Sequence, residues 1–343
     1  MKSEDTILSI FLFSQTGTGV LGNSFLICLF LFVFFSGHRM RLIDGIVTQL
    51  ALANCLVLLL KGIPQTMTSL GLMNFLDDIG CKIIFYLHKV ARDLSLGTTC
   101  LLSAFQAITI SPTNSNWAEL KARASKYLIP CSLLCWTFHL VVYSYVPWGV
   151  KGPRQNRNIS EMQHHGYCSH KLLSGFHASL MVTFLSFIDA IYLGLMVSAS
   201  GYMVILLYRH HKQIKQIHIT YLSPKASPEI RATKTILILV STFISSYLLN
   251  CILAAYMSLI KSPLWLMHIS AFLGLYFPAV SPYVLISSDS QVIKYLYILC
   301  GSRIPQFNLE SRLISSVHHD FPKATVTGKS SPYQMRLVAD HKN

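Results

Sequence analysis

Long apolar blocks separated by short polar segments make up most of the chain. Seven such blocks lie at about residues 7–35, 45–72, 82–111, 127–148, 178–208, 233–260 and 265–288. Each is long enough to cross a bilayer, which takes roughly 20 predominantly apolar residues in a helix. A helix also satisfies its own backbone hydrogen bonds in hydrocarbon. The pattern therefore predicts an all-α bundle of seven transmembrane helices, with the two chain termini on opposite sides of the membrane.

Basic residues in the connections predict the orientation of the bundle, because short cytoplasmic loops carry an excess of Lys and Arg. The first, third and fifth connections contain Arg39, Arg41, Lys121, Arg123, Lys126, Arg209, Lys212, Lys215, Lys225, Arg231 and Lys234. The connection from 149 to 177 reduces the contrast, since it also contains Lys151, Arg154, Arg157 and Lys171. We therefore predict a multi-pass plasma-membrane protein with its N-terminus outside and its C-terminal tail inside.

Composition agrees with a membrane protein and excludes several other classes. Hydrophobic residues make up 52% of the chain and charged residues 12%, where a soluble domain has about 25% charged residues. A net charge of +14 would suggest a nucleic-acid partner for a soluble protein, but here the basic residues flank apolar blocks and no nucleic-acid module is present. No motif of a metalloprotease, serine hydrolase or P-loop enzyme occurs. We expect no catalysis, no cofactor and no metal site.

Beyond the seventh block, residues 289–300 have the spacing of an amphipathic helix lying on the inner membrane surface. Cys300 at its end is either acylated or unmodified. From Gly301 onward the chain is polar and rich in Ser, Lys and His. We therefore predict a seven-transmembrane domain over residues 1–300, including this short juxtamembrane helix, and a disordered cytoplasmic tail over 301–343.

Two cysteines and one asparagine mark the predicted outer face. Cys81 begins the third block and Cys168 lies in the following outer loop, so both face an oxidising compartment where a disulfide forms. Two free thiols are the alternative. Asn158 starts the only N-x-[ST] sequon of the chain and lies in the same loop, which predicts N-glycosylation there.

A charged run interrupts the third block about halfway across the hydrocarbon. Arg92 lies eleven residues after Cys81, which is roughly 16 Å along a helix. Charged groups at that depth face the interior of a bundle or a water-filled cavity. Lys89 and Asp93 have the i,i+4 spacing of a helical ion pair, and Asp189 of the fifth block is a candidate partner for Arg92. This run either forms the polar floor of a ligand cavity or braces the helices.

Other polar residues also lie within the blocks. Asn23 and Asn54 need partners in hydrocarbon and are predicted to form hydrogen bonds between helices. Lys61, on the outer side of Asn54, either extends to the membrane surface or borders the cavity, and we favour the first. Pro278 and Pro282 interrupt the seventh block, where donors from neighbouring helices are expected to satisfy the freed carbonyls. Tyr256 completes the set of cavity candidates with Lys89, Arg92, Asp93 and Asp189.

Three stretches of sequence resemble one family of membrane receptors. The run TTCLLSAFQAITISP over residues 98–112 resembles the third-span hallmark of the vomeronasal type-1 receptors. HKQI at 211–214, SPE at 227–229 and RAT at 231–233 resemble their third inner loop, and SPYVLI at 281–286 resembles their seventh span. The resemblance extends from about residue 7 to 303 and includes Cys168 and the sequon at Asn158.

The resemblance implies a seven-helix G-protein-coupled receptor of chemosensory neurons. Such a receptor detects pheromones or related small semiochemicals and signals through an inhibitory-type heterotrimeric G protein. A small, largely apolar molecule is then expected to enter between spans three, five, six and seven and to bind the active arrangement more tightly. The residues expected to face the G protein are Arg39, Phe105, Gln106, Lys212, Lys215 and Arg231. The alternatives are a bitter-taste-like receptor or a small-solute transporter.

The chain departs from the wider rhodopsin-like class at two switch positions. Where that class has an acidic-Arg-Tyr triplet, this chain has Ala104, Phe105 and Gln106. Where that class has an aspartate in the second span, this chain has Asn54. The usual ionic lock and sodium site are therefore not expected.

Overall fold

The computed structural model describes residues 3–38, 40–72, 75–112, 115–151, 162–164, 168–171, 176–217, 228–259 and 264–299. Within this part of the chain, seven helical segments are long and apolar enough to cross a membrane. Spans one to seven are Ile7–Phe35, Leu42–Ser69, Asp78–Ile110, Ala118–Gly149, Thr183–Lys212, Ile230–Met257 and Leu266–Ser288. They confirm the predicted all-α bundle of seven helices.

The helices follow one another as the apolar blocks predict, and three short strands lie between α6 and α7. The elements are α1 (Ser3–Phe35), α2 (Leu42–Val57), a π-helical segment (Leu58–Gly62), α3 (Ile63–Ser69), α4 (Asp78–Ile110), α5 (Ser115–Val142), a 3-10 turn (Tyr143–Tyr145), α6 (Val146–Gly149), β1 (Val150–Lys151), β2 (Met162–His164), β3 (Ser169–Lys171), α7 (Phe176–Ile217), α8 (Pro228–Leu259), α9 (Leu264–Ser288) and α10 (Ser290–Leu299). The described residues belong to one compact unit, Met1–Ser302, and the predicted tail from 301 onward lies outside them.

The third span is the central helix of the bundle. Two thirds (67%) of its most apolar window is buried, against 11% for the fifth span. Small residues allow this close packing: a side chain added at Gly97 would lie 2.6 Å from the Cys135 sulfur of the fourth span. The small and hydroxylated residues that follow, among them Thr98, Thr99 and Ser103, are almost fully buried. Their burial explains why a run that looked unusually polar for a membrane helix is compatible with one.

The seventh span is continuous despite its two prolines. A proline within a helix removes one N–H and frees the carbonyl four residues earlier, so Pro282 leaves the Pro278 carbonyl without its helical donor. The side-chain amide of Asn23 in the first span donates to that carbonyl at 2.8 Å. The neighbouring helix therefore supplies the missing donor, as predicted.

The two ends of the bundle are defined by different features. At one end Cys81 forms a disulfide with Cys168, and we call this the disulfide end. Cys168 precedes β3, the central strand of an antiparallel sheet of order β1-β3-β2, in which Val150 is paired with His170 and Gln163 also with His170. The sheet was not predicted from the sequence. The opposite end carries α10, and we call it the α10 end.

Candidate functional site

Arg92 is the centre of a charged network in the half of the bundle nearer the disulfide end. Its two terminal nitrogens contact Asp93 at 3.0 Å and Asp189 at 3.2 Å. The first contact lies within the third span and the second joins it to the fifth. The predicted pairing of Arg92 with Asp189 is therefore present in the structure.

Two tyrosines extend this network to two further spans. The Tyr247 hydroxyl in the sixth span donates to Asp189 at 2.7 Å, and its ring lies under the Arg92 guanidinium, 5.5 Å from ring centroid to the guanidinium carbon. The Tyr143 hydroxyl, at the 3-10 turn of the fourth span, donates to Asp93. We call these five residues the Arg92 network. It connects spans three, four, five and six through side chains alone.

Accessibility within the network is uneven, and this bears on its role. The side chains of Asp93 and Asp189 are only 4% and 15% exposed, whereas that of Arg92 is 36% exposed. Charges in a membrane interior are tolerated when they are paired and hydrogen-bonded. The carboxylates are thus enclosed and satisfied, while one side of the guanidinium stays accessible. The same residues can brace four helices and present a polar surface to a small molecule.

One expectation about the network needs correction. Lys89 and Asp93 do not form the i,i+4 ion pair, since no described carboxylate lies within 4.0 Å of the Lys89 ammonium. Asp93 is instead held by its neighbour Arg92 and by Tyr143 of the fourth span. Neighbouring residues of a helix point in different directions. The Arg92 side chain is nevertheless long enough to fold back and reach the Asp93 carboxylate.

Tyr256, predicted from the sequence as a cavity candidate in the sixth span, lies outside the Arg92 network. Tyr256 is 51% exposed, and the tyrosine that binds Asp189 is Tyr247. Both lie in an apolar helix, and the sequence offered no signal to choose between them. Only the position of the neighbouring fifth span shows that Tyr247, and not Tyr256, lies at the depth of Asp189.

Lys61 enters the bundle instead of extending to the membrane surface, which corrects our expectation. It lies in the π-helical segment Leu58–Gly62, shortly before Pro64. A π turn adds a residue to the helical turn and changes the direction of the following side chains. The ammonium rests against Gly274 of the seventh span, where an added β-carbon would lie 2.7 Å from it.

The buried amide of Asn54 connects the second, third and seventh spans. It donates to the Ser281 hydroxyl at 2.8 Å and accepts from the Ser95 hydroxyl at 2.7 Å. All three side chains are at most 3% exposed. The prediction of interhelical hydrogen bonding is confirmed for Asn54 and, through its bond to the Pro278 carbonyl, for Asn23.

At the α10 end, the neutral motif of the third span contacts the sixth span. The Gln106 side-chain amide donates to the Thr233 hydroxyl at 2.9 Å, and both side chains are almost fully buried. Phe105 is half-buried against the main core. Gln106 therefore does not lie on the accessible surface, where a G protein would meet it, but at a contact between two spans.

Basic residues around this contact remain accessible. Lys212 and Arg231 are exposed, and Arg231 donates to the Ser288 carbonyl at the end of the seventh span, 3.0 Å away. Of the remaining predicted residues, Arg39, Asn158 and Cys300 lie outside the described part of the chain, and the side chain of Lys215 does as well.

Another polar cluster joins α10 to the second span. Asp44 is completely buried and accepts hydrogen bonds from the backbone and guanidinium of Arg41 and from the Tyr295 hydroxyl at 2.7 Å. Arg41 also pairs with Asp289 at 3.0 Å. Burial, together with the hydrogen bond to Asp44, raises the pKa of Tyr295 above its ordinary value. The cluster fixes the predicted amphipathic helix against the bundle.

Comparison with known proteins decides the family. Residues 6–298 match the vomeronasal organ pheromone receptor family. The chain belongs to this family. It is similar to the gorilla (Gorilla gorilla gorilla) vomeronasal type-1 receptor 1, with 43% identity over 84% of this chain and 82% of the relative.

Similarity within the family extends to other members. The human vomeronasal type-1 receptor 4 is 44% identical over 83% of this chain and 95% of its own length. The rat (Rattus norvegicus) vomeronasal type-1 receptor 90 is 33% identical over 85% of this chain and 94% of its own length. The chain is accordingly a chemosensory receptor of the plasma membrane with several membrane spans.

Proposed function

We propose that this receptor detects pheromones or related small semiochemicals at the disulfide end and signals through an inhibitory-type heterotrimeric G protein at the α10 end. The observation that carries the proposal is the Arg92 network, which links four spans and keeps an accessible guanidinium. A molecule bound there contacts several helices at once. Its binding energy can therefore change their relative positions.

The proposed orientation has the N-terminus and the disulfide end outside the cell. A disulfide between Cys81 and Cys168 belongs in an oxidising compartment. Exposed Lys212 and Arg231 lie at the opposite end, as the excess of basic residues on cytoplasmic loops requires. Asn158 is then on the outer side and available for glycosylation.

Signalling follows from a difference in ligand affinity between two arrangements of the helices. A ligand shifts the equilibrium only if it binds one arrangement more tightly. We propose that the active arrangement separates the third and sixth spans at the α10 end, which breaks the bond between Gln106 and Thr233. The surface around Phe105 and Gln106 then becomes accessible to the G protein.

Expression of the full chain in cultured cells, with sensors for dissociation of each G-protein class, tests the proposal. Volatile and steroid-like compounds are applied, and untransfected cells and pertussis-toxin treatment serve as controls. The expected result is a ligand-dependent, toxin-sensitive response. A ligand-dependent net solute flux with no response of any G protein would instead identify a transporter.

A further inference from the structure

Three asparagines lie within the seven spans, and one of them is incompletely paired. Asn23 and Asn54 are 1% and 0% exposed, and the amides of both donate to acceptors in the seventh span. Asn250 of the sixth span is only half-buried. Its side-chain oxygen accepts from the Ser270 hydroxyl at 3.1 Å, but no described residue accepts from its amide nitrogen. An amide donor without an acceptor inside a membrane protein is unfavourable.

An acceptor without its usual donor lies in the facing part of the seventh span. Pro278 has no N–H, so the Gly274 carbonyl four residues earlier loses its helical donor. Pro282 frees the Pro278 carbonyl in the same way, and there the Asn23 amide supplies the donor. No side chain among the described residues donates to the Gly274 carbonyl. Of the two carbonyls that the prolines free, only one therefore receives a donor from a neighbouring helix.

The unpaired amide and the freed carbonyl lie close together between the sixth and seventh spans. A β-carbon at Gly274 would lie 3.8 Å from the Asn250 amide nitrogen, while the Lys61 ammonium lies 2.7 Å from the same point. Toward the α10 end, the rings of Phe243 and Phe277 close the interface of the two spans, packed edge to face with their centroids 4.7 Å apart. Because Gly274 has no side chain, its backbone is accessible from the side of Asn250.

A hydroxyl group is the smallest organic group that satisfies both partners. Its oxygen accepts from the Asn250 amide and its hydrogen is donated to the Gly274 carbonyl, each at about 2.7–3.0 Å. A single hydroxyl can therefore bridge two groups that are too far apart to bond directly. A ketone or ether oxygen accepts from the amide but has no hydrogen for the carbonyl. The adjoining apolar cluster, which includes Leu58, Ala271 and Leu275, suits a hydrocarbon body.

We propose that the Asn250 amide and the Gly274 carbonyl bind a hydroxyl group of the receptor's ligand, so that the receptor prefers small alcohols. This inference rests on the proposed function, whose ligand it restricts to molecules with a hydroxyl group. Ser270 is a positioning residue, because its hydrogen bond holds the Asn250 side-chain oxygen and leaves the amide nitrogen for the ligand. Tyr247 of the Arg92 network precedes Asn250 by three residues on the same helix, so the site adjoins that network.

Binding to the purified full-length receptor in detergent tests the inference without any need for signalling. The probes are octan-2-ol, octan-2-one and 2-methyloctane, whose bodies have nearly the same shape. Apparent affinities are measured from the rise in unfolding temperature with probe concentration. We expect octan-2-ol to bind about five-fold more tightly than octan-2-one, because the ketone forms only one of the two hydrogen bonds. The hydrocarbon forms neither and is the reference for apolar burial alone.

Asn250→Leu removes the donor and keeps a side chain of similar size. The affinity for octan-2-ol relative to that for 2-methyloctane should then fall about five-fold. Ser270→Ala leaves the amide free to rotate and should lower the same ratio by a smaller factor. Ser245→Ala is the matched control on the sixth span. Its exposed hydroxyl bonds within its own helix, and its loss should leave the ratio unchanged.

Gly274→Ala tests the location of the site. The added methyl would approach the Asn250 amide and the flexible end of the Lys61 side chain, which can move aside. The methyl then occupies the place of the ligand hydroxyl, and the preference for octan-2-ol over octan-2-one should be lost. Gly194→Ala in the fifth span, where nothing lies within 4 Å of the new methyl, is the matched control and should retain the preference.

Equal affinities of the wild-type receptor for octan-2-ol and octan-2-one would overturn the inference. So would an unchanged alcohol preference in Asn250→Leu together with a lower unfolding temperature, which would assign Asn250 to bracing the two spans or to holding an internal water. If Asn250→Leu fails to fold, the ratio in Ser270→Ala decides, and an unchanged ratio there counts against the site. Failure of the proposed function is separate, since it would appear as an alcohol preference in detergent with no G-protein response in cells.

Discussion

The two halves of the third span hold their neighbours in different ways. In the half nearer the disulfide end, Arg92 and Asp93 connect to three other spans through ion pairs and charge-assisted hydrogen bonds. In the half nearer the α10 end, Gln106 contacts the sixth span through a single neutral hydrogen bond to Thr233. A neutral bond of this kind contributes about 1 kcal/mol, and bonds to charged groups contribute about twice that.

In the proposed mechanism, this difference places the opening of the bundle at the α10 end. A strongly cross-linked region transmits a displacement of one helix to its neighbours, whereas a weakly connected contact yields to it. A ligand at the Arg92 network would therefore act on a stiff part of the molecule, and the separation of helices would occur at Gln106 and Thr233. Substitutions in each half test this difference, beginning with the largest expected effect.

Arg92→Met should destabilise the receptor most. It leaves Asp93, whose side chain is 4% exposed, without its cation, and breaking a buried pair costs about 3–5 kcal/mol. Because the Arg92 side chain is 36% exposed, we expect the lower end, about 3 kcal/mol. Thermal unfolding of the purified receptor and its surface expression are the measurements.

The matched control for this change is Arg123→Met. Arg123 pairs with Glu119 across an exposed helix face, so its loss should cost less than about 0.5 kcal/mol. The double variant Arg92→Met/Asp93→Asn should regain part of the lost stability, because the uncompensated carboxylate is gone. Equal unfolding temperatures for Arg92→Met and Arg123→Met would contradict a bracing role for the network.

Gln106→Leu should raise signalling in the absence of ligand. Loss of a bond of about 1 kcal/mol shifts the equilibrium between closed and open arrangements about five-fold. Basal G-protein activation at matched surface expression is the measurement. Thr233→Val should produce a similar rise, and combining the two changes should add little, because both remove the same bond.

Thr242→Val is the control for the sixth span. The Thr242 hydroxyl is exposed and bonded within its own helix, to the Ile238 carbonyl at 2.8 Å, and its loss should leave basal activity unchanged. If Gln106→Leu also leaves basal activity unchanged while surface expression is normal, the contact between spans three and six does not hold the resting arrangement.

Tyr295→Phe should have the smallest effect, a loss of about 1 kcal/mol or less in stability. Asp44 loses one donor but keeps its hydrogen bonds from Arg41. Because the folded pKa of Tyr295 is raised by burial and Asp44, its contribution is complete below the ordinary tyrosine pKa of about 10 and is lost only as pH rises through the folded value.

The stability difference between wild-type receptor and Tyr295→Phe should accordingly be constant from about pH 6 to 9. Thermal unfolding across that range is the measurement. A difference that shrinks steadily between those values would mean that the Tyr295 hydroxyl ionises in the folded receptor, against the assigned role as a donor to Asp44.

The seven spans, the pair of cysteines and the depth of the charged run were all predictable from the order of residues alone. The length of an apolar block can be read directly from the sequence. Because the bilayer has a nearly fixed thickness, each block of sufficient length corresponds to one membrane-spanning helix. The motif at residues 98–112 indicated the family for a related reason. Its residues are contiguous, so it can be recognised without knowing how the helices pack. Asn54 was also predictable as an interhelical residue, because an amide in hydrocarbon must find a partner somewhere.

Which side chains meet depends on the packing of the helices and was not predictable from the order of residues. Helical spacing favoured Lys89 as the partner of Asp93, but the fourth and fifth spans bring Tyr143 and Asp189 to the same place, and Arg92 lies between the two carboxylates. Tyr247, which the sequence did not single out, meets Asp189 for the same reason. The π-helical segment turned Lys61 into the bundle, a change of direction that hydrophobic periodicity does not record. Periodicity gives the depth and face of a residue on its own helix, whereas partners depend on how the other helices are rotated and packed.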